Sequence, residues 1–233
     1  MNRTIISSLL ATALFAGNAL AAPITQSFDT FGTLSDATFS GSGIPNNAVA
    51  ITNIGSSAGG PGVTLGLTAH QRYSNPALTN DGAGTFFANP GVDTHAPSPA
   101  NPYATWNFAF YVGGADAGSY NYKLFYDFDF GSNTEESEHG QINLSGSFQD
   151  SWNLGMDFLD SDIPGLLSSP NFGSFNPGSP GEYSFALVAY DTQGAEVDRS
   201  AIAVQVGQIP EPATLALLGL GLAGLIGVRR KAR

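Results

Sequence analysis

The sequence predicts an all-β protein, an antiparallel β-sandwich flanked by an N-terminal signal peptide and a single hydrophobic helix at the C-terminus. Three observations carry this. Apolar and polar residues alternate over several segments, and the apolar set is rich in aromatics, the pattern of half-buried strands. Gly (29 residues) and Pro (14 residues) recur along the chain with Ser and Asn, which favours turns between short strands. Nothing between residues 22 and 207 sustains a helical spacing of apolar residues.

Residues 1–21 open with one cation, Arg3, run through a mostly apolar stretch from Ile5 to Phe15, and end on Ala19-Leu20-Ala21. Small residues at Ala19 and Ala21 are what a signal peptidase reads, so cleavage is expected after Ala21. The apolar run is short for a membrane span and stops at the small-residue site.

The domain expected at 22–207 is then a series of alternating segments. Val63, Leu65, Leu67 and Ala69 share one parity, as do Trp106, Phe108, Phe110 and Val112. Tyr120, Tyr122, Leu124, Tyr126, Phe128 and Phe130 form a third run, with Asn121, Lys123, Asp127 and Asp129 on its polar side; Gly113 to Gly118 reads as the hairpin turn leading into it. Further strands are expected over Ile142, Leu144 and Phe148, over Trp152, Leu154, Met156 and Phe158, over Tyr183 to Ala189 and over Ile202 to Val206. Ala37–Ser40 and Ala48–Thr52 are weaker candidates. Residues 88–102 and 161–180, rich in Pro, Gly, Ser and Asn, read as loops.

Charge bounds the partners. Between residues 22 and 209 the only cations are Arg72, Lys123 and Arg199, whereas all but one of the 19 acidic residues fall there. A surface so negative disfavours nucleic acid and anionic lipid headgroups. Cysteine is absent, so no disulfide supports the domain, and a chain of this length can be stable by burial alone.

The C-terminus reads unlike the rest. Pro210-Glu211-Pro212 precedes an uncharged stretch, 213–228, which as a helix reaches about 24 Å, short of a hydrocarbon core of about 30 Å. Snorkelling cations at Arg229, Arg230, Lys231 and Arg233 extend it and stay cytoplasmic by the positive-inside rule. Its glycines weaken a helix in water by roughly 1 kcal/mol each but are tolerated in lipid. Triplet, span and basic end, in that order, resemble the PEP-CTERM sorting signal of exported proteins in Gram-negative bacteria that make extracellular polysaccharide. The resemblance implies a tail at 208–233 recognised through Pro210, Glu211 and Pro212 by an exosortase, a membrane-embedded transpeptidase-like enzyme, with an inner-membrane intermediate before processing. The closing segment Gly181 to Val206, with a turn at Asp191-Thr192-Gln193-Gly194, is similar to the last strand pair of such proteins and of Ig-like sandwiches; the alternation leaves Ig-like and jelly-roll-like topologies both open.

Candidate chemistry is sparse. Gly55-Ser56-Ser57-Ala58-Gly59 matches G-x-S-x-G, but that nucleophile needs a strand-turn-helix elbow and Gly60-Pro61-Gly62 follows. Asp127, Asp129, Glu135, Glu136 and Glu138 are the densest set of metal-capable groups. Their spacing fails the EF-hand count, since Gly131 and Ser132 stand where an oxygen ligand and a glycine are needed. They read as a solvated acidic face, with a weak Ca²⁺ site as the competing reading and no other cofactor. His70, His95 and His139 are isolated in sequence. Tyr73, Tyr103, Tyr111 and Tyr190 fall at strand ends or on the polar parity, where a ring can stack on sugar. The expected function is a non-catalytic exported protein of the cell surface or matrix, handled by signal peptidase and exosortase and associated with extracellular polysaccharide in a biofilm; the alternative is a carbohydrate- or calcium-binding matrix module.

Overall fold

The computed structural model describes residues 22–57, 60–73, 76–97 and 102–207, without the side chains of 56, 57, 60 and 61. Ala19 and Ala21, Pro210 to Pro212, the span at 213–228 and the basic end lie outside the described residues, within which no helix is long and apolar enough to cross a membrane.

Twelve strands stand among these residues: β1 (Thr30–Gly32), β2 (Val49–Ser57), β3 (Gly60–Gln71), β4 (Thr79–Asn80), β5 (Thr85–Ala88), β6 (Trp106–Gly113), β7 (Asn121–Tyr126), β8 (Gly140–Ser145), β9 (Phe148–Trp152), β10 (Leu167–Ser168), β11 (Gly181–Tyr190) and β12 (Glu196–Val206). They form two sheets, one in the order β1-β2-β3-β6-β9 and the other β10-β8-β7-β11-β12-β5-β4. Every pairing is antiparallel except that of β5 with β12. The fold is the all-β sandwich that the alternation predicts.

The predicted apolar parities meet between the sheets. Val63, Leu65, Leu67, Phe108, Phe110, Leu124, Tyr126, Phe185 and Val204 are all fully buried. Phe108 of β6 stacks on Phe185 of β11 at 4.6 Å, and Trp106 meets Tyr183 at 5.8 Å, so aromatic pairs bridge the layers. Each buried tyrosine finds an acceptor for its hydroxyl: Tyr122 donates to the Ala117 carbonyl and Tyr126 to that of Leu159. These bonds tie connecting segments to the core.

Four expectations need correction. Gly113–Gly118 is no hairpin turn, because β6 and β7 belong to different sheets; the segment crosses the sandwich through a 3-10 turn at Ala117–Ser119. Gly114 sits there at φ +116°, where a Cβ would collide with the Gly62 carbonyl. Ile142 and Phe148 lie on separate strands in different sheets, broken at Gly146 with φ +68°. Trp152 ends β9. Asn153, fully buried, accepts from the Ala104 N–H (2.9 Å) and donates to the Ala104 and Trp106 carbonyls, so a side chain takes up backbone groups that a continuing strand would pair. Finally, Ala37–Ser40 is not a strand: Phe39 and Ser40 have φ +49° and +55°, and the segment packs over the outer face of the first sheet, where Gln149 accepts from the Thr38 and Phe39 N–H groups.

Candidate functional site

β3 runs out of the sheet at Arg72 and Tyr73. The Arg72 N–H still bonds the Thr105 carbonyl (2.9 Å), and the chain then folds back so that Ala77 pairs with His70. A second return comes from the loop after β5, where Val92 pairs with Ala104 and the Asp93 N–H donates to the Tyr103 carbonyl. Between these returns lies a cleft of about 520 Å³, whose walls include Arg72, Tyr73, Val92, Asp93 and His95.

Arg72 is the centre of the cleft. Its guanidinium lies over the rings of Tyr73 (4.6 Å) and Tyr103 (4.2 Å), and Nη2 donates to the Tyr73 hydroxyl at 3.0 Å. Nε stands 3.5 Å from Asp93 Oδ2 and is buried, without a hydrogen-bond partner among the described residues. Asp93 in turn is organised by His95, whose backbone N–H (2.6 Å) and Nδ1–H (3.0 Å) both reach Oδ1. The His95 ring leans on Tyr73 at 4.7 Å. Tyr73 (60% exposed) and Val92 (52% exposed) offer apolar surface at the rim, unlike the rings in the core.

A shallower concavity of about 360 Å³ lies on the other side of Arg72 and Tyr73, against Phe39, Ser40, His70, Asp150 and Ser151. Among the described residues four that are not glycine have positive φ, and three of them, Phe39, Ser40 and Tyr73 (φ +60°), line this concavity. Such conformations cost of order 1 kcal/mol each and collect at binding sites. Nearby, the His70 Nδ1–H donates to the Gln71 carbonyl (2.8 Å), which leaves Nε2 to accept from the Ser151 hydroxyl (2.8 Å). Burial holds this imidazole below its ordinary pKa. The ring is 2% exposed, and the contact stitches β3 to β9 across β6.

The acidic set is placed differently from the sequence expectation. β7 ends at Tyr126, and Asp127 turns inward rather than onto a polar face. Its Oδ1 accepts from the Asp129 N–H (2.8 Å), while Oδ2 faces the Ser184 hydroxyl (3.4 Å) and His139 Nε2 (3.7 Å). His139, also buried, donates from Nδ1 to the Glu135 carbonyl and shares Nε2 with Ser184 (2.8 Å). Burial pushes the Asp127 carboxyl up to about 7 and holds His139 below its usual value. Glu136 pairs with Arg199, which also grips Glu196, both at 2.6 Å. Asp129 accepts from the Gly131 N–H (2.8 Å), Glu135 bridges Pro23 through its backbone, and Glu138 is exposed. The five carboxylates therefore do not converge, and among the described residues no three or more His, Asp or Glu are grouped to hold a metal.

Of the four tyrosines singled out in the sequence, Tyr73 and Tyr103 come together around Arg72. Tyr111 packs under the 34–44 segment, and Tyr190 lies beneath Lys123 at 5.4 Å. Ser57 leads into β3 rather than a helix, which removes the nucleophile elbow. Arg72, Asp93 and His95 were missed as a group; the signal available was that Arg72 is one of three cations in a strongly acidic stretch.

The family model of the PEP-CTERM protein-sorting motif matches residues 208–231. No curated protein matches the chain significantly in sequence. The motif marks an exported protein sorted by an exosortase, with a membrane-anchored intermediate before cleavage.

Proposed function

We propose that this is a non-catalytic protein of the cell surface or extracellular matrix of a Gram-negative bacterium, exported after cleavage behind Ala21 and delivered by an exosortase to work within secreted polysaccharide. The observation that carries the reading is the sorting motif at 208–231, placed directly after β12 of an acidic, cysteine-free sandwich. The non-catalytic part is supported by two of the histidines: His70 and His139 are each 2% exposed, with Nε2 taken up by the Ser151 and Ser184 hydroxyls inside the protein. Replacing Pro210-Glu211-Pro212 by alanines tests it. The variant should accumulate as an unprocessed inner-membrane form while the wild type appears in the surface fraction with a trimmed C-terminus by mass spectrometry; an unchanged C-terminus and surface yield in the variant would reduce the tail to a plain anchor.

The module reading stands beside it on a separate observation. A carbohydrate partner is favoured by the exposed Tyr73 ring beside Arg72 and Asp93, an arrangement of apolar platform and bidentate polar groups that suits a hydroxylated ring. The calcium variant of that reading has less support, because Asp127 and Glu136 already have partners inside the protein.

A further inference from the structure

We propose that the Arg72 cleft binds a neutral pyranose unit of a polysaccharide, its C–H face stacked on Tyr73 and its hydroxyls bonded to Asp93, Arg72 and His95. This rests on the reading of the protein as one that works among secreted polysaccharide, and it names the residues and the class of sugar.

The argument is one of matched chemistry. Tyr73 and Val92 place apolar surface at the mouth, 60% and 52% exposed, where a sugar's C–H face finds contact that water does not satisfy. Behind them Asp93 Oδ2 meets, among the described residues, the Arg72 Nε at 3.5 Å, and a carboxylate oxygen with two lone pairs has acceptor capacity for a hydroxyl proton. Arg72, its side chain 13% exposed in the cleft wall, brings guanidinium donors beside that carboxylate. With Nδ1 donating to Asp93, His95 offers Nε2 as an acceptor at the exposed edge. Donor and acceptor side by side fit vicinal hydroxyls, which both give and take hydrogen bonds.

Charge decides the class. The Arg72 cation is already balanced by Asp93, and the surrounding domain is strongly negative, so a uronate or sulfated chain meets repulsion without an uncompensated cation to hold it. Tyr73 at φ +60° gives a second indication: the ring is held at the rim in a conformation that glycine would adopt without strain.

The experiment uses the processed protein recovered from the surface fraction and titrates it calorimetrically with cellohexaose, xylohexaose, mannohexaose and hexagalacturonate. At least one neutral hexasaccharide should bind, with affinity unchanged by a calcium chelator and by moderate NaCl. Tyr73→Gly should weaken that binding at least tenfold while the melting temperature moves by no more than about 4 °C, and Tyr73→Phe should stay within about threefold of wild type. Absence of binding to all three neutral probes, binding indifferent to Tyr73→Gly, or preference for hexagalacturonate would overturn the proposal. None of these results alters the processing and surface yield that test the sorting reading, so the two fail separately.

Discussion

Arg72 and Asp127 are two charges that the sandwich draws below its surface, and their surroundings are opposite. Asp127, its side chain 2% exposed, is enclosed by groups from its own neighbourhood and from β11: the Asp129 N–H, the Ser184 hydroxyl and His139. Arg72, its side chain 13% exposed, lies between two tyrosines at the end of a strand and opens onto a cleft. An ionisable group closed off by nearby partners belongs to a fold's interior, whereas one stacked on an exposed ring at a cleft is a site. The acidic run looked the more functional in sequence because its groups are adjacent; adjacency is what lets them satisfy one another.

The largest effect that separates the two regions is expected at His139. Changing it to Ala removes the bonds to the Glu135 carbonyl and the Ser184 hydroxyl and leaves a void where a buried ring stood, so stability should fall by about 3 kcal/mol in urea unfolding. Sugar binding by the folded fraction should be untouched. A loss below about 1 kcal/mol would mean that the cluster is not closed.

Next comes pH. A carboxyl whose folded pKa is raised to about 7 from an ordinary value of 3.8 favours the folded state below the lower value, and that contribution is lost as pH rises through 7. His139 and His70, lowered by burial, act in the other sense: their contribution is present above the ordinary value of 6.5 and is lost as pH falls through the folded pKa. Asp127→Asn, uncharged throughout, should therefore gain on wild type by roughly 2 kcal/mol between pH 5 and pH 8. A difference independent of pH would contradict the buried setting of Asp127.

Tyr73→Gly should change stability by no more than about 1 kcal/mol, because relief of the positive φ offsets the lost contacts with Arg72 and His95. Calcium should have the smallest effect. Thermal melts in CaCl₂ and in NaCl of equal ionic strength should agree within about 1 °C, and a calcium-specific rise abolished by Asp127→Asn with Asp129→Asn would restore these carboxylates as ligands.

Alternation made the layers legible but not the pairings. A period of two tells which residues face inward, and Val63, Phe108, Leu124 and Phe185 do; it says nothing about which strand lies alongside, so β6 and β7 read as a hairpin although they belong to different sheets. The run Trp152 to Phe158 alternates without being a strand, because Leu154 is buried from a turn fixed by Asn153 and Phe158 packs edge-on against Trp152. Tyr73 and Tyr103 were visible as ring candidates. Their convergence was not, since it depends on two loop returns that bring Arg72, Asp93 and Tyr103 together from separate parts of the chain. The sorting motif, matched at 208–231, was legible because it is read as a linear motif and needs no fold to be recognised.

The contrast between an open and a closed buried charge is tested most directly by measuring hexasaccharide affinity and unfolding free energy on the same two variants, Tyr73→Gly and His139→Ala. The account predicts a crossing: Tyr73→Gly loses at least tenfold in affinity with stability retained, and His139→Ala loses about 3 kcal/mol of stability with affinity retained in its folded fraction. Affinity that follows stability in both variants, or that falls with His139→Ala alone, would contradict it.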